Sequence, residues 1–108
     1  LHYVGGVIGN SSSGIVEVSS AGVPVLDIGI RQQGRMRAPS VIHADCDAGQ
    51  IALGVERLFS PSLRALASRR ENPYYNPDTL TVMADAIENT DFSQAYIKPF
   101  YQPCATSI

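Results

Sequence analysis

The chain has no tryptophan, two cysteines and few charges: 8 lysines and arginines against 10 aspartates and glutamates over 108 residues, a formal net charge of −2. A surface so close to neutral offers no electrostatic pull toward a nucleic-acid backbone or an anionic membrane. No stretch approaches the roughly 18 consecutive apolar residues of a membrane span. Neither nucleic acid nor membrane is therefore an expected partner. Cys46 and Cys104 are far apart and have no metal-ligand spacing, which leaves two free thiols in a reducing, cytoplasmic setting. His2 and His43 have no acid or nucleophile beside them in a recognisable motif, so both read as structural. Paired acids of the glycosidase kind, a G-x-S-x-G nucleophile elbow, a Walker loop and the G-x-G-x-x-G fingerprint are all missing. The sequence accordingly assigns no catalytic residue, no metal and no cofactor.

What is present is the composition of a globular domain, 44% hydrophobic and 17% charged, far from the disordered class. The length suits one domain or part of one, and a domain this short buries only about two thirds of its unfolded surface. The chain opens on Leu1, without a basic start, and runs at once into a strand. That opening does not read as a signal peptide and suggests a piece of a longer protein.

Val4–Gly9 is apolar and uncharged, the pattern of a buried parallel strand. The residues from Ile15 to Ala21 are expected to form a short helix stopped by Gly22. Val23–Ile28 reads as a second strand, with Pro24 near its first position, and 29–39 as a long polar loop. Ser40–Ala44 is a third strand. Asp47 caps a helix to about Phe59, with Ile51, Val55, Leu58 and Phe59 at helical spacing. Ser60-Pro61 starts another, with proline in the first turn. Asn76-Pro77-Asp78 repeats that start for a helix to about Asn89. Phe92, Tyr96, Ile97, Phe100 and Tyr101 make the tail unusually aromatic. Strands separated by helices predict an α/β fold, a partial Rossmann-like parallel sheet flanked by helices.

In such a sheet, ligands bind beyond the carboxyl ends of the strands. Two loops qualify, and parallel neighbouring strands would put them on one edge. Asn10-Ser11-Ser12-Ser13-Gly14 leads into a helix, where unpaired N–H groups favour an anion. Three hydroxyls add donors and Gly14 permits close backbone approach. The alternative is helix capping by one serine. Arg31, Arg35 and Arg37 crowd the second loop without an acid between Asp27 and Asp45. Guanidinium forks match phosphate oxygens, although a solvated basic loop has the same composition. Glu17 lies a turn beyond the first loop and lacks the Ser or Thr three residues earlier of a capping box. It is suited to accept hydrogen bonds from ribose hydroxyls, or else it is a solvated helix-face carboxylate.

The run Gly9-Asn10-Ser11-Ser12-Ser13-Gly14-Ile15-Val16-Glu17 resembles the GNSSSG-x-x-E signature of hydrolysing UDP-N-acetylglucosamine 2-epimerases of the sialic-acid pathway type. The resemblance continues through Gly22-Val23-Pro24, Ile28-Gly29-x-Arg31-Gln32-x-Gly34-Arg35, Ser40-Val41-Ile42, Asn72-Pro73-Tyr74 and the ending Lys98-Pro99-Phe100-Tyr101. Ile30 stands where an acid is frequent, and Tyr75-Asn76-Pro77-Asp78 replaces a glycine-rich stretch. The resemblance implies the C-terminal half of a GT-B-like two-domain enzyme. Residues 1–108 would then be one partial nucleotide-binding domain, with 90–108 packing toward an N-terminal domain that supplies the catalytic acids. It implies that Ser11, Ser12, Ser13, Gly14, Arg31 and Arg35 contact a nucleotide diphosphate and that Glu17 holds the ribose. The ligand would be UDP or UDP-N-acetylglucosamine, the products N-acetylmannosamine and UDP, and the full-length protein a homo-oligomer. A GT-B glycosyltransferase domain and a non-catalytic nucleotide-binding module are the competing readings.

Overall fold

The computed structural model describes residues 1–93. It divides after Tyr75 into two compact units, Leu1–Tyr75 and one beginning at Asn76.

In the first unit, three short strands form a parallel sheet in the order β1 (Val7–Gly9), β2 (Val25–Ile28) and β3 (Val41–Ala44). Val7 pairs with Val25 and Val25 with Val41, so the register runs straight across the sheet. Helix α1 (Ser12–Val16) and a 3-10 turn (Val18–Ala21) connect β1 to β2, while α2 (Ala48–Leu58) and α3 (Pro61–Ser68) follow β3. The connection from β2 to β3 contains no helix among its residues. It spans 29–40, about the dozen residues a parallel crossover needs.

Alternation along the strands sorts the core into two layers. Val25 and Val41 join Ile15, Val18, Val23 and Ala38 in one cluster. Leu26, Ile42 and Ala44 join Leu58 and Leu63 in another. Helix α1 and the 3-10 turn thus belong with one sheet face, α2 and α3 with the other. This is the Rossmann-like α/β arrangement expected from the order of elements. Close contact of α2 with the sheet depends on Gly54, where a Cβ would lie 2.7 Å from Leu26 Cδ1.

Local signals set the element ends. Asp47 accepts from Gln50 N at the start of α2, and Ser60 Oγ accepts from Leu63 N at the start of α3, with Pro61 opening the helix. Gly22 stops the 3-10 turn with φ 76°, a left-handed conformation that costs glycine little.

The helix expected over Ile15–Ala21 differs. It starts three residues earlier, at Ser12, and changes to a 3-10 turn after Glu17. Ser11 supplies the cap, and the β-branched run Ile15-Val16-x-Val18 propagates an α-helix poorly. The strands are also shorter than expected, with Val4–Gly6 and Val23–Pro24 outside them.

The second unit holds α4 (Thr79–Asn89). Its start is not the cap-then-proline form expected. Asn76 Oδ1 accepts from Asp78 N at 2.9 Å, and Thr79 Oγ1 donates to the Asn76 carbonyl at 2.7 Å. Pro77 therefore sits in an Asx turn ahead of the helix. Of the aromatic tail, Tyr96, Ile97, Phe100 and Tyr101 lie outside the described residues, as does Cys104.

Candidate functional site

The register places the carboxyl ends of β1 and β2 side by side, Gly9 opposite Asp27. The loops after them do meet on one edge. Arg31 Nη1 donates to Asn10 Oδ1 at 3.4 Å, and Gln32 Nε2 donates to the Asn10 carbonyl at 2.9 Å. Residues 21 and 22 positions apart are thereby joined at one point, and the serine loop and the arginine loop form one surface.

The serines divide their work. Ser11 Oγ accepts from Ser13 N at 3.3 Å as the cap of α1 and lies 3.1 Å from Ser13 Oγ. Capping by one serine is thus realised, at Ser11. Ser12 is exposed, and its hydroxyl has no partner among the described residues. Gly14 is buried, and a Cβ there would lie 3.2 Å from Val25 Cγ1. Its smallness lets α1 pack closely on β2. Glu17 closes α1, its backbone N–H bonded to Ser13 O, with its side chain exposed.

Of the three arginines, Arg31 and Arg35 are exposed and have no carboxylate partner among the described residues. Arg37 has one: its Nη2 lies 3.1 Å from Asp27 Oδ2. Asp27, at the end of β2, is 1% exposed. The approach of Arg37 is ionic without the alignment of a hydrogen bond, and neither Asp27 oxygen has a hydrogen-bond donor among the described residues. Asp27 also lines a cavity of about 30 Å³ with Gly9, Ser11 and Gly14. That is room for about one water molecule, the usual partner of such a group.

His43 follows. Its Nδ1 lies 3.6 Å from Asp27 Oδ2, and its Nε2 is 3.0 Å from Asp45 Oδ1. No recognisable motif pairs this histidine with an acid, whereas the fold gives it two, Asp45 two residues on and Asp27 on the neighbouring strand. The hydrogen bond from His43, and next that from Gln50, hold the Asp45 carboxyl below its ordinary range. Gly29, Ile30, Gln33, Arg37, His43 and Asp45 border an open pocket of about 300 Å³.

Asn72-Pro73-Tyr74 braces the site from behind. Asn72 Nδ2 donates to the Val16 carbonyl at 2.8 Å and to Ser20 Oγ at 2.7 Å. Tyr74 OH donates to the Met36 carbonyl at 3.0 Å. One turn therefore holds both the end of α1 and the arginine loop.

Sequence reasoning missed Gln32 and Asp27. Asp27 carried a signal, an acid inside the apolar run Val25-Leu26-Asp27-Ile28. Gln32 stood in the matched run Arg31-Gln32-x-Gly34-Arg35 without a role, and composition does not separate it from the neighbouring Gln33, which is exposed.

A parallel α/β layer with two polar loops joined at its carboxyl edge defines the broad class, a Rossmann-like α/β layer. The chain belongs to the UDP-N-acetylglucosamine 2-epimerase family, whose profile matches residues 1–88. It is 34% identical over 113 residues to the polysialic acid biosynthesis protein P7 of Escherichia coli, covering 99% of this chain and 28% of that protein. It is 39% identical over 54 residues to a UDP-N-acetylglucosamine 2-epimerase of Neisseria meningitidis, covering 50% of this chain and 14% of the relative. A hydrolysing UDP-N,N'-diacetylbacillosamine 2-epimerase of Legionella pneumophila is 39% identical over 59 residues, 54% of this chain and 16% of its own. The chain thus spans about a quarter or less of the length of these relatives. No helix among the described residues is long and apolar enough to cross a membrane.

Proposed function

We propose that this chain is the nucleotide-diphosphate-binding part of a hydrolysing UDP-N-acetylglucosamine 2-epimerase. Ser11, Ser12, Ser13 and Gly14 offer hydroxyl and backbone donors to the diphosphate. Arg31 and Arg35 supply its positive charge, and Glu17 accepts from the ribose hydroxyls. The full-length protein releases N-acetylmannosamine and UDP from UDP-N-acetylglucosamine. The acids for elimination and hydration lie outside residues 1–108, so the chain alone binds nucleotide without turning over the sugar.

The observation that carries this reading is the junction at Asn10, which sets the serine loop beside the arginine loop. Family membership supports it. Among the described residues the Ser12 hydroxyl has no hydrogen-bond partner and the guanidinium groups of Arg31 and Arg35 have no carboxylate partner, which supports it further. Placing anion donors from two loops around one point is how a site of preorganised charge-assisted hydrogen bonds holds two phosphate groups at once.

Calorimetry with UDP, UDP-N-acetylglucosamine, GDP and inorganic phosphate tests it. The expected result is diphosphate-dependent binding, about tenfold weaker in Ser12→Ala, as for one charge-assisted hydrogen bond. Glu17→Ala should weaken UDP and leave inorganic phosphate unaffected. Binding that ignores both substitutions would refute the assignment, and selective binding of GDP would replace UDP as the ligand.

A further inference from the structure

We infer that Gln32 is a positioning residue, a clasp that fixes the distance between the serine loop and the arginine loop so that both ends of a diphosphate are held together. The inference rests on the nucleotide reading above and deepens it.

Gln32 lies in an exposed loop, yet it is itself 4% exposed. Its Nε2 donates to the Asn10 carbonyl at 2.9 Å, across 22 residues of sequence. A buried amide in a polar loop is costly unless its hydrogen bonds are made, and this donor is used on the backbone of the opposite loop. Gln32 is also the centre of its own loop. It directly follows Arg31, and its carbonyl accepts from Arg35 N at 3.3 Å. Fixing the Gln32 side chain therefore fixes the backbone that carries Arg31 and Arg35, the two guanidinium groups of this loop without a carboxylate partner among the described residues. The companion bond from Arg31 to Asn10 is longer, 3.4 Å, and exposed, so solvent competes for it and it is the weaker tie. Gln32 Oε1 is buried without a partner among the described residues, so this side chain is held by its Nε2 alone, and loss of that bond frees the stretch that carries Arg31 and Arg35.

A clasp between two half-sites has a signature that a merely structural residue lacks. A monophosphate reaches one loop and is indifferent to their spacing. A diphosphate spans both. Gln32→Met keeps the length of the side chain and removes the donor. In the full-length protein it should weaken UDP about tenfold, the loss of one buried hydrogen bond, and weaken UMP about twofold or less. Amide hydrogen exchange without ligand gives an independent reading. Asn10–Ser13 and Arg31–Arg35 should exchange faster in the variant, while Val25–Ile28 in the sheet stays protected, which also shows that the variant is folded.

Equal losses for UDP and UMP, or unchanged exchange in both loops, overturn the clasp while leaving nucleotide binding in place. Absence of UDP binding by the unmodified protein overturns the nucleotide reading and the clasp together.

Discussion

Replacing Arg37 with methionine leaves a buried carboxylate without its cation, and the cost can be worked from the structure. Asp27 has a side chain 2% exposed, Arg37 one 26% exposed, and 3.1 Å separates the charges. At an effective dielectric of about 20 the attraction is about 5 kcal/mol, much of it offset by the desolvation both groups have already undergone. Breaking a buried pair from one side costs about 3–5 kcal/mol. The lower end applies here, because Arg37 keeps a quarter of its surface in solvent and the His43 ring lies 3.6 Å from the same oxygen. Arg37→Met should therefore destabilise the fold by about 3 kcal/mol, a large share of the roughly 5–15 kcal/mol of a typical domain.

Asp27→Asn removes the charge and should cost about 1 kcal/mol, near the net worth of a hydrogen bond. The double variant should lie closer to Asp27→Asn than to Arg37→Met, since the methionine then faces a neutral group. Urea denaturation followed by circular dichroism reads all three. With an m-value of ~1.5 kcal/mol/M the midpoint of Arg37→Met should fall by about 2 M. The coupling between the two sites should be about 2 kcal/mol. Additive losses, or an Arg37→Met midpoint within about 0.5 M of the unmodified protein on the same scale, would show that Asp27 does not depend on Arg37 and refute the argument.

Two further outcomes follow from other parts of the molecule. The His43 hydrogen bond is the largest cause holding the Asp45 carboxyl below its ordinary value of 3.8. A depressed folded-state value means that this contribution to stability is present above 3.8 and is lost as pH falls through the lower folded value. Carbon-13 titration of the Asp45 carboxyl in His43→Leu should move upward toward the ordinary value, and an unmoved titration would assign the effect to Gln50 instead. Gly54→Val puts a branched side chain where even a Cβ would approach Leu26 Cδ1 to 2.7 Å. It should cost about 1–3 kcal/mol by overpacking, seen as a lower thermal midpoint, whereas an unchanged midpoint would mean that α2 lifts off the sheet without penalty.

Much of the fold was legible because each element announced itself locally. Asp47 and Ser60 are caps in sequence and in space. Gly22 ends its helical segment as its type suggests, and the apolar runs around Ile8, Leu26 and Ile42 are strands. The start of α1 was misjudged because hydrophobic periodicity marks the buried face of a helix, here beginning at Gly14 and Ile15. It passes over a polar first turn that is helical because Ser11 caps it. The two loops that meet at the sheet edge stood out by composition, as clusters of serine and arginine. Which arginine is free was not. Arg31, Arg35 and Arg37 look alike in sequence, and only the pleat of β2, which buries Asp27 beside Arg37, separates them. The Asp27 partner of His43 was hidden for the same reason, since it is 16 residues away and adjacent only through the β2–β3 register, whereas Asp45, two residues on, lay within reach of the sequence and was passed over for want of a motif.

That separation bears on how the site keeps its charge. Three guanidinium groups on one short loop repel one another and would resist a fixed conformation in the absence of an anion. Pairing Arg37 with the buried Asp27 removes one of them from the balance and anchors the far end of the loop. Gln32 anchors its middle without adding charge, and Tyr74 ties Met36 between those two points. What remains is Arg31 and Arg35, exposed and without carboxylate partners among the described residues. For the diphosphate proposed above, two cations on a tied loop and a set of uncharged donors suit better than three cations on an untied loop would, because less of the binding energy goes into ordering the loop.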